Sequence, residues 1–281
     1  MIFTGYADFW FRNMPLVERP ARFVALGIRH LDVWAWRSKG VVLMDELAAA
    51  CREAGCTINS TFDDAGGSLT DAADLPLCLD AWAESLERAQ QWGVAHLFMF
   101  SEQVEPFSDS SHPHIQGWVK RPSRDEPLQK RYANLLDAAA RVMELVEKTP
   151  IVVWFEALNT FHLHGGITVS THELAADVVR RIAHPQLRMA FDCYHQQRTA
   201  GNLIQGLRDY YGLYDSVHIG DVPTRGEPGS GEINFHAIAR ALHELEFDGK
   251  IGLEFYPTSD EASALARVRA LFEPDPRRPT C

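Results

Sequence analysis

Four short apolar segments, each carrying one residue of metal-ligand type, constrain this chain more than any other feature. IVVWFEAL (151–158) carries Glu156, LRMAFDCY (187–194) Asp192, YDSVHIGD (214–221) His218 and GKIGLEFY (249–256) Glu254. Their length and their β-branched and aromatic content predict buried strands. The four polar residues lie 36, 26 and 36 positions apart, and each gap has room for one strand-plus-helix unit. Alternation places Ala190 and Arg188 on the face of Asp192, Ser216 on that of His218, and Gly252 and Lys250 on that of Glu254. The opposite faces read Leu187, Met189 and Phe191, then Val217 and Ile219, then Ile251, Leu253 and Phe255, and suit packing against helices.

The rest of the chain keeps the same rhythm. Strands are predicted over 2–7, 30–36, 56–62 and 94–100, and helices over 16–27, 44–55, 77–93, 128–149, 202–212, 234–249 and 259–272. One more helix opens at Ser170 as a capping box, S-T-H-E, with Glu173 at its third position. Eight strands alternating with eight helices call for a parallel sheet closed into a (β/α)₈ barrel. The expected organisation is one α/β domain spanning 1–281, ending in a loose Pro-rich tail over 272–281. The irregular stretch 101–127 is long enough to be a lid over the barrel mouth.

On a barrel, ligands at the C-terminal ends of consecutive strands converge on one mouth. A lone carboxylate at a strand end is usually a structural hydrogen-bonder, but four polar residues of one parity on four successive strands point to a shared ion. Glu156, Asp192, His218 and Glu254 form a hard, mostly oxygen set. It suits one divalent cation in six-coordinate geometry, Mn²⁺ before Mg²⁺, Co²⁺ or Zn²⁺. Two open positions would take adjacent oxygens of a hydroxy-carbonyl compound, with Glu156 and Glu254 as the catalytic acid and base around an enediolate. His195 and Arg225 are candidate substrate contacts, and Trp34, Trp36 and Trp118 candidate pocket walls, with core packing the default for Trp34 and Trp36. His112, His114, His162 and His164 read as loop histidines.

Charge and cysteine usage narrow the partners. A net charge of −11 argues against nucleic acid, no segment reaches membrane-spanning length, and the N-terminus lacks the pattern of a signal peptide. Cysteines 51, 56, 78, 193 and 281 have no framework spacing, which predicts free thiols in a cytoplasmic protein. The expected partner is a small molecule; a homo-oligomer is compatible with the sequence.

Residues 192–197 and 221–234 carry a family resemblance. The chain resembles the hydroxypyruvate isomerase family of the xylose-isomerase-like barrels. D-x-Y-H-x-Q is matched by Asp192, Tyr194, His195 and Gln197. D-x-P-x-R-x-E-P-G-x-G-E-I-N is matched from Asp221 through Arg225 to Asn234, and G-x-E-Y/F-x-P by Gly252, Glu254, Phe255 and Pro257. The resemblance implies Glu156, Asp192, His218 and Glu254 as ligands, the two glutamates as catalytic, and His195 and Arg225 as substrate contacts. It implies isomerisation of a small sugar or hydroxy-keto acid, with ketose 3-epimerisation or keto-sugar elimination as alternatives. The superfamily's DNA endonucleases, with His-rich three-zinc sites and basic faces, fit less well, as does a non-catalytic binder. Where hydroxypyruvate isomerases have Gln, this chain has His218, as ketose 3-epimerases do. The family's E-P-x-N-x-x-D/E reads here Glu156-Ala-Leu-Asn159-Thr-Phe-His162, without the proline and the second acid.

Overall fold

Eight parallel strands close on one another in the order that strict β/α alternation dictates. They are β1 (Ile2–Tyr6), β2 (His30–Asp32), β3 (Thr57–Thr61), β4 (His96–Met99), β7 (Val152–Glu156), β8 (Leu187–Asp192), β9 (Tyr214–His218) and β10 (Lys250–Leu253). The computed structural model describes residues 1–106, 118–120, 126–160 and 166–273. An antiparallel pair, β5 (Val104–Pro106) and β6 (Trp118–Lys120), lies inside the stretch expected to be a lid. Most of that stretch falls outside the described residues, as do His112, His114, His162, His164 and nearly all of the tail over 272–281.

Ten α-helices are described: α1 (Arg19–Ala25), α2 (Trp36–Lys39), α3 (Val41–Ala54), α4 (Leu75–Trp92), α5 (Leu128–Val146), α6 (His172–Ile182), α7 (Cys193–Thr199), α8 (Leu203–Asp209), α9 (Phe235–Glu244) and α10 (Glu261–Phe272). The outward strand faces do pack against them: Leu187, Met189, Phe191, Val217, Ile251, Leu253 and Phe255 all join the main core. Burying each such side chain contributes about 1.5–3 kcal/mol before entropy is counted. A second cluster, with Phe62, Phe98, Trp154 and Ala190, fills the barrel interior.

Three local expectations need correction. The strand expected over 30–36 ends at Asp32; Ala35 takes a left-handed φ of 51° and Trp36 opens α2. Helix α6 is capped by Thr171, not Ser170: Thr171 is extended and its hydroxyl accepts from Leu174 N at 3.3 Å. Helix α7, absent from the helices expected from sequence, starts at Cys193 directly after β8, with no connecting segment to mark it; the Asp192 carboxylate caps it by accepting from His195 N.

Alternation also fails once inside β9. Met189 pairs with Tyr214 and Ala190 with Ser216, so Asp215 is the extra residue of a bulge. Strict alternation would send it outward. Instead its carboxylate accepts from Trp154 Nε1 at 2.6 Å. Burial raises its pKa, an effect opposed first by the nearby Lys250.

Candidate metal centre

The four ligand-type residues meet. Asp192 and His218 are direct register partners, His218 also pairs with Gly252, and Glu156 pairs with Ala190. Glu254 follows β10 immediately, and one ligand atom from each of Glu156, Asp192, His218 and Glu254 lies within 4.8 Å of all the others. All four side chains are buried.

Burial and mutual repulsion then act on the carboxylates. Burial first, then Glu254 and Asp192, push Glu156 well above the usual carboxylate range. Asp192 is pushed up to about 7 by burial and by Glu254, against the pull of Arg225. Glu254 is raised by burial, with Arg225 opposing. His218 is lowered by burial, against Asp192 and Asp32. Such a cluster is costly without a cation.

A divalent ion fits the donors present. Glu156 Oε1 and Glu254 Oε2 are buried and receive no hydrogen bond. Glu254 Oε2 lies 3.3 Å from His218 Nδ1, so that nitrogen faces the carboxylates. The other ring nitrogen, Nε2, is 2.9 Å from Ser216 Oγ. Three carboxylates and the Arg225 guanidinium carry a formal −2, which a divalent cation neutralises.

Arg225 reaches this centre from the loop after β9. Its Nη2 donates to Glu254 Oε1 at 2.5 Å and lies 3.4 Å from Asp192 Oδ2, and its Nε donates to the Glu254 carbonyl at 3.3 Å. Burial disfavours its charge, but Glu254 and Asp192 outweigh that and raise its pKa. The guanidinium sits over the rings of Tyr194, Phe9 and Trp34, at 4.8, 5.4 and 5.6 Å. Its backbone is left-handed, with φ 57°, a conformation costing on the order of 1 kcal/mol or more for a bulky residue.

The loop holding that conformation is organised by Asp221, which was not singled out as a site residue. Asp221 Oδ1 accepts from Val222 N and Ile233 N, and Oδ2 from Gly229 N and Gly231 N, all at 2.9 Å. Gly231 is required by space: a Cβ there would lie 1.9 Å from the Val222 carbonyl oxygen. Glu227 ties the loop to the end of β10, accepting from Thr258 N at 2.6 Å and Thr258 Oγ1 at 2.8 Å, and pairs with Arg267 of α10.

His195 is buried at the same mouth. Its Nδ1 accepts from Asn159 N at 3.1 Å and lies 2.8 Å from Asn159 Nδ2. Two donors on Nδ1 leave the proton on Nε2. Asn159, present in the sequence only as a motif position, is thus a partner of His195. Tyr6, also missed, places its hydroxyl 3.3 Å from His218 Nδ1; it ends the first strand, and its only sequence signal was its inward parity. A narrow cleft opens over the centre, lined by Glu156, Glu254, His195, Arg225 and the rings of Tyr6, Trp34, Phe62, Phe98 and Phe100. Of the three candidate wall tryptophans, with core packing the default for Trp34 and Trp36, Trp34 lines the cleft. Trp36 packs on Trp92 instead, and the side chain of Trp118 lies outside the described residues.

Residues 17–273 match the family described as Xylose isomerase-like TIM barrel. The chain belongs to that family. Among curated relatives, it is 28% identical over 132 residues to hydroxypyruvate isomerase of Escherichia coli (strain K12), covering 47% of this chain and 51% of the relative. It is 35% identical over 160 residues to 2-oxo-tetronate isomerase of Pectobacterium atrosepticum, covering 57% and 60%. The chain spans about half the length of several of the curated relatives it matches, and 80% of the putative hydroxypyruvate isomerase of Homo sapiens at 25% identity. Among solved structures, an AP endonuclease, family 2, from Brucella melitensis superimposes with a TM-score of 0.81 at 19% identity, covering 96% of this chain and 98% of that one. D-psicose 3-epimerase from Clostridium cellulolyticum H10 gives 0.77 at 17% identity, covering 98% and 100%. These solved structures share the fold of this chain, whose own cluster of Glu156, Asp192, His218 and Glu254 could hold a metal ion and supports a metal-dependent enzymatic role. No helix among the described residues is long and apolar enough to cross a membrane.

Proposed function

We propose that this protein is a metal-dependent ketose 3-epimerase acting on a neutral sugar. One observation carries the reading: Glu156 and Glu254 come from strands separated by β8 and β9, and each brings a buried oxygen without a hydrogen bond to the same centre. Inversion at a carbon needs a base on one side and an acid on the other, and two such carboxylates supply both. An aldose–ketose isomerisation needs only one.

Glu156, Asp192, His218 and Glu254 would hold the divalent cation, Mn²⁺ by preference, whose chemistry is to polarise the substrate carbonyl and lower the acidity barrier of the neighbouring C–H. One glutamate removes that proton, and the other returns a proton to the opposite side. Arg225 and the Nε2–H of His195 donate to substrate oxygens and fix the sugar chain. Aromatic walls exclude water while the proton is in transit.

The main alternative is isomerisation of a hydroxy-keto acid, the activity named for the curated relatives. That substrate brings a carboxylate, which calls for a cation. Among the described lining residues Arg225 is the one cation, and it is engaged by Glu254 and Asp192. The neutral ketose is therefore favoured, a reading also supported by the His218 position and by the 3-epimerase among similar folds. Four buried free cysteines accord with a reducing cytoplasm as its setting.

Turnover of ketoses in D₂O with Mn²⁺, followed by NMR, tests this. The expected product is the C3 epimer with deuterium at C3. An aldose labelled at C1 or C2 would establish isomerisation instead, and release of water or a fragment would establish elimination. Glu156→Gln and Glu254→Gln are each expected to lose about 10²–10⁴-fold in turnover.

A further inference from the structure

His218 is the one nitrogen donor of the centre, and an imidazole can serve a cation only with a lone pair turned towards it. Two wrong states are available. The ring can carry its proton on Nδ1, or it can rotate by half a turn about its bond to Cβ and exchange Nδ1 with Cδ2. The walls around it are apolar or aromatic: Phe98, Tyr6 and Trp154 have ring centroids 5.4, 5.6 and 5.9 Å away. Gly252 lies against the Cδ2 edge, where a Cβ would come within 2.6 Å. These surfaces fix the plane of the ring; of the polar atoms around it, the Tyr6 hydroxyl and Glu254 Oε2 meet the Nδ1 edge, and neither holds the Nε2 edge.

Ser216 does. It lies two residues earlier on β9, on the same inward face and fully buried, with Oγ 2.9 Å from His218 Nε2. Half a turn would put Cε1 where Nε2 now is and remove this hydrogen bond. When Oγ accepts the Nε2 proton, the Nδ1 lone pair is left facing Glu254 Oε2, 3.3 Å away, and the Tyr6 hydroxyl at the same distance. We infer that Ser216 is a positioning residue for the metal centre, holding His218 as the Nε2–H tautomer with Nδ1 presented to the cation. The inference rests on the reading of Glu156, Asp192, His218 and Glu254 as ligands.

The test uses the full-length protein stripped of metal. Nitrogen-15 NMR of histidine in the wild type is expected to place the His218 proton on Nε2; a proton on Nδ1 overturns the inference. Titration with Co²⁺, read from its visible absorption, is then compared across variants. Ser216→Ala is expected to weaken binding about 10–100-fold, the range typical for losing a partner of a ligating histidine. Ser216→Cys fills the same space with a weak acceptor and should resemble Ala, whereas Ser216→Thr, which keeps the hydroxyl, should recover much of the affinity. Wild-type affinity in Ser216→Cys would make the role one of packing and overturn the inference. Failure of the wild type to bind Co²⁺ would sink the metal reading itself, independently of the tautomer result.

Discussion

At Gly252 a methyl group would lie 2.6 Å from His218 Cδ2 and 3.1 Å from Tyr6 Cε2. Gly252→Ala should therefore push the imidazole off the centre, weakening metal binding sharply while costing about 1–3 kcal/mol of stability from overpacking. Unchanged metal affinity would mean that the ring can move without consequence. The carboxylates make a second prediction at this scale. Glu156, Asp192 and Glu254 all have raised pKa values, Asp192 up to about 7, so the metal-free folded protein holds protons that the unfolded chain releases. Their contribution is fully present below the unfolded carboxylate value near 4 and is lost as the pH rises through the folded values. The thermal midpoint of metal-free protein is expected to fall from pH 6 to pH 8. Metal binding must displace those protons, so affinity should rise over the same interval. Titration calorimetry in two buffers of different ionisation enthalpy reads the released protons directly, and zero release would refute the shifts.

The element that matters most for chemistry is the loop from Asp221 to Ile233, because among the described residues it alone brings a cation to the centre. Its four backbone N–H groups converge on one carboxylate, and leaving such donors unpaired costs about 1–3 kcal/mol each. Asp221→Asn should lower the thermal midpoint and raise KM by loosening Arg225, with little change in metal affinity, since no ligand lies on the loop. If KM holds while stability falls, the position of Arg225 does not depend on this anchor. Helix ends are legible in the same terms. Asn234 accepts from Ala237 N at 3.1 Å at the start of α9, and Asn234→Ala should cost about 1 kcal/mol, measured by chemical denaturation.

Across the whole molecule, two buried histidines outside the metal centre add to the response to acid. Burial lowers both His96, stacked on Trp154 at 4.0 Å, and His172, beside Phe191, to about 3. Their folded values lie below the ordinary value near 6.5, so the unfolded chain binds more protons as acid is added. Stability present above about pH 6.5 should drain away as the pH falls towards 3. The double variant His96→Gln, His172→Gln should be less stable at neutral pH but flatter across this range. An acid limb as steep as that of the wild type would assign acid lability to other groups.

Parity and spacing made the barrel readable from the sequence. A parallel strand buried on both faces must be apolar on its helix side, so an inward polar residue stands out. Four of these at strand ends mark Glu156, Asp192, His218 and Glu254, and the fold brings them together. Repeated strand-plus-helix units likewise mark closure. Tertiary structure decided whatever depends on where separate segments meet. Tyr6 and Ser216 matter because of their distance to one imidazole, Asn159 because of its approach to His195, and Asp221 because four amides fold back on it. The Asp215 bulge breaks the parity on which sequence reading relies, and a single inserted residue leaves no periodic trace. Local sequence encodes which face a side chain takes, because backbone geometry alternates with a fixed period. Which partner it then meets is set by strands far apart in the chain, and no local period records that.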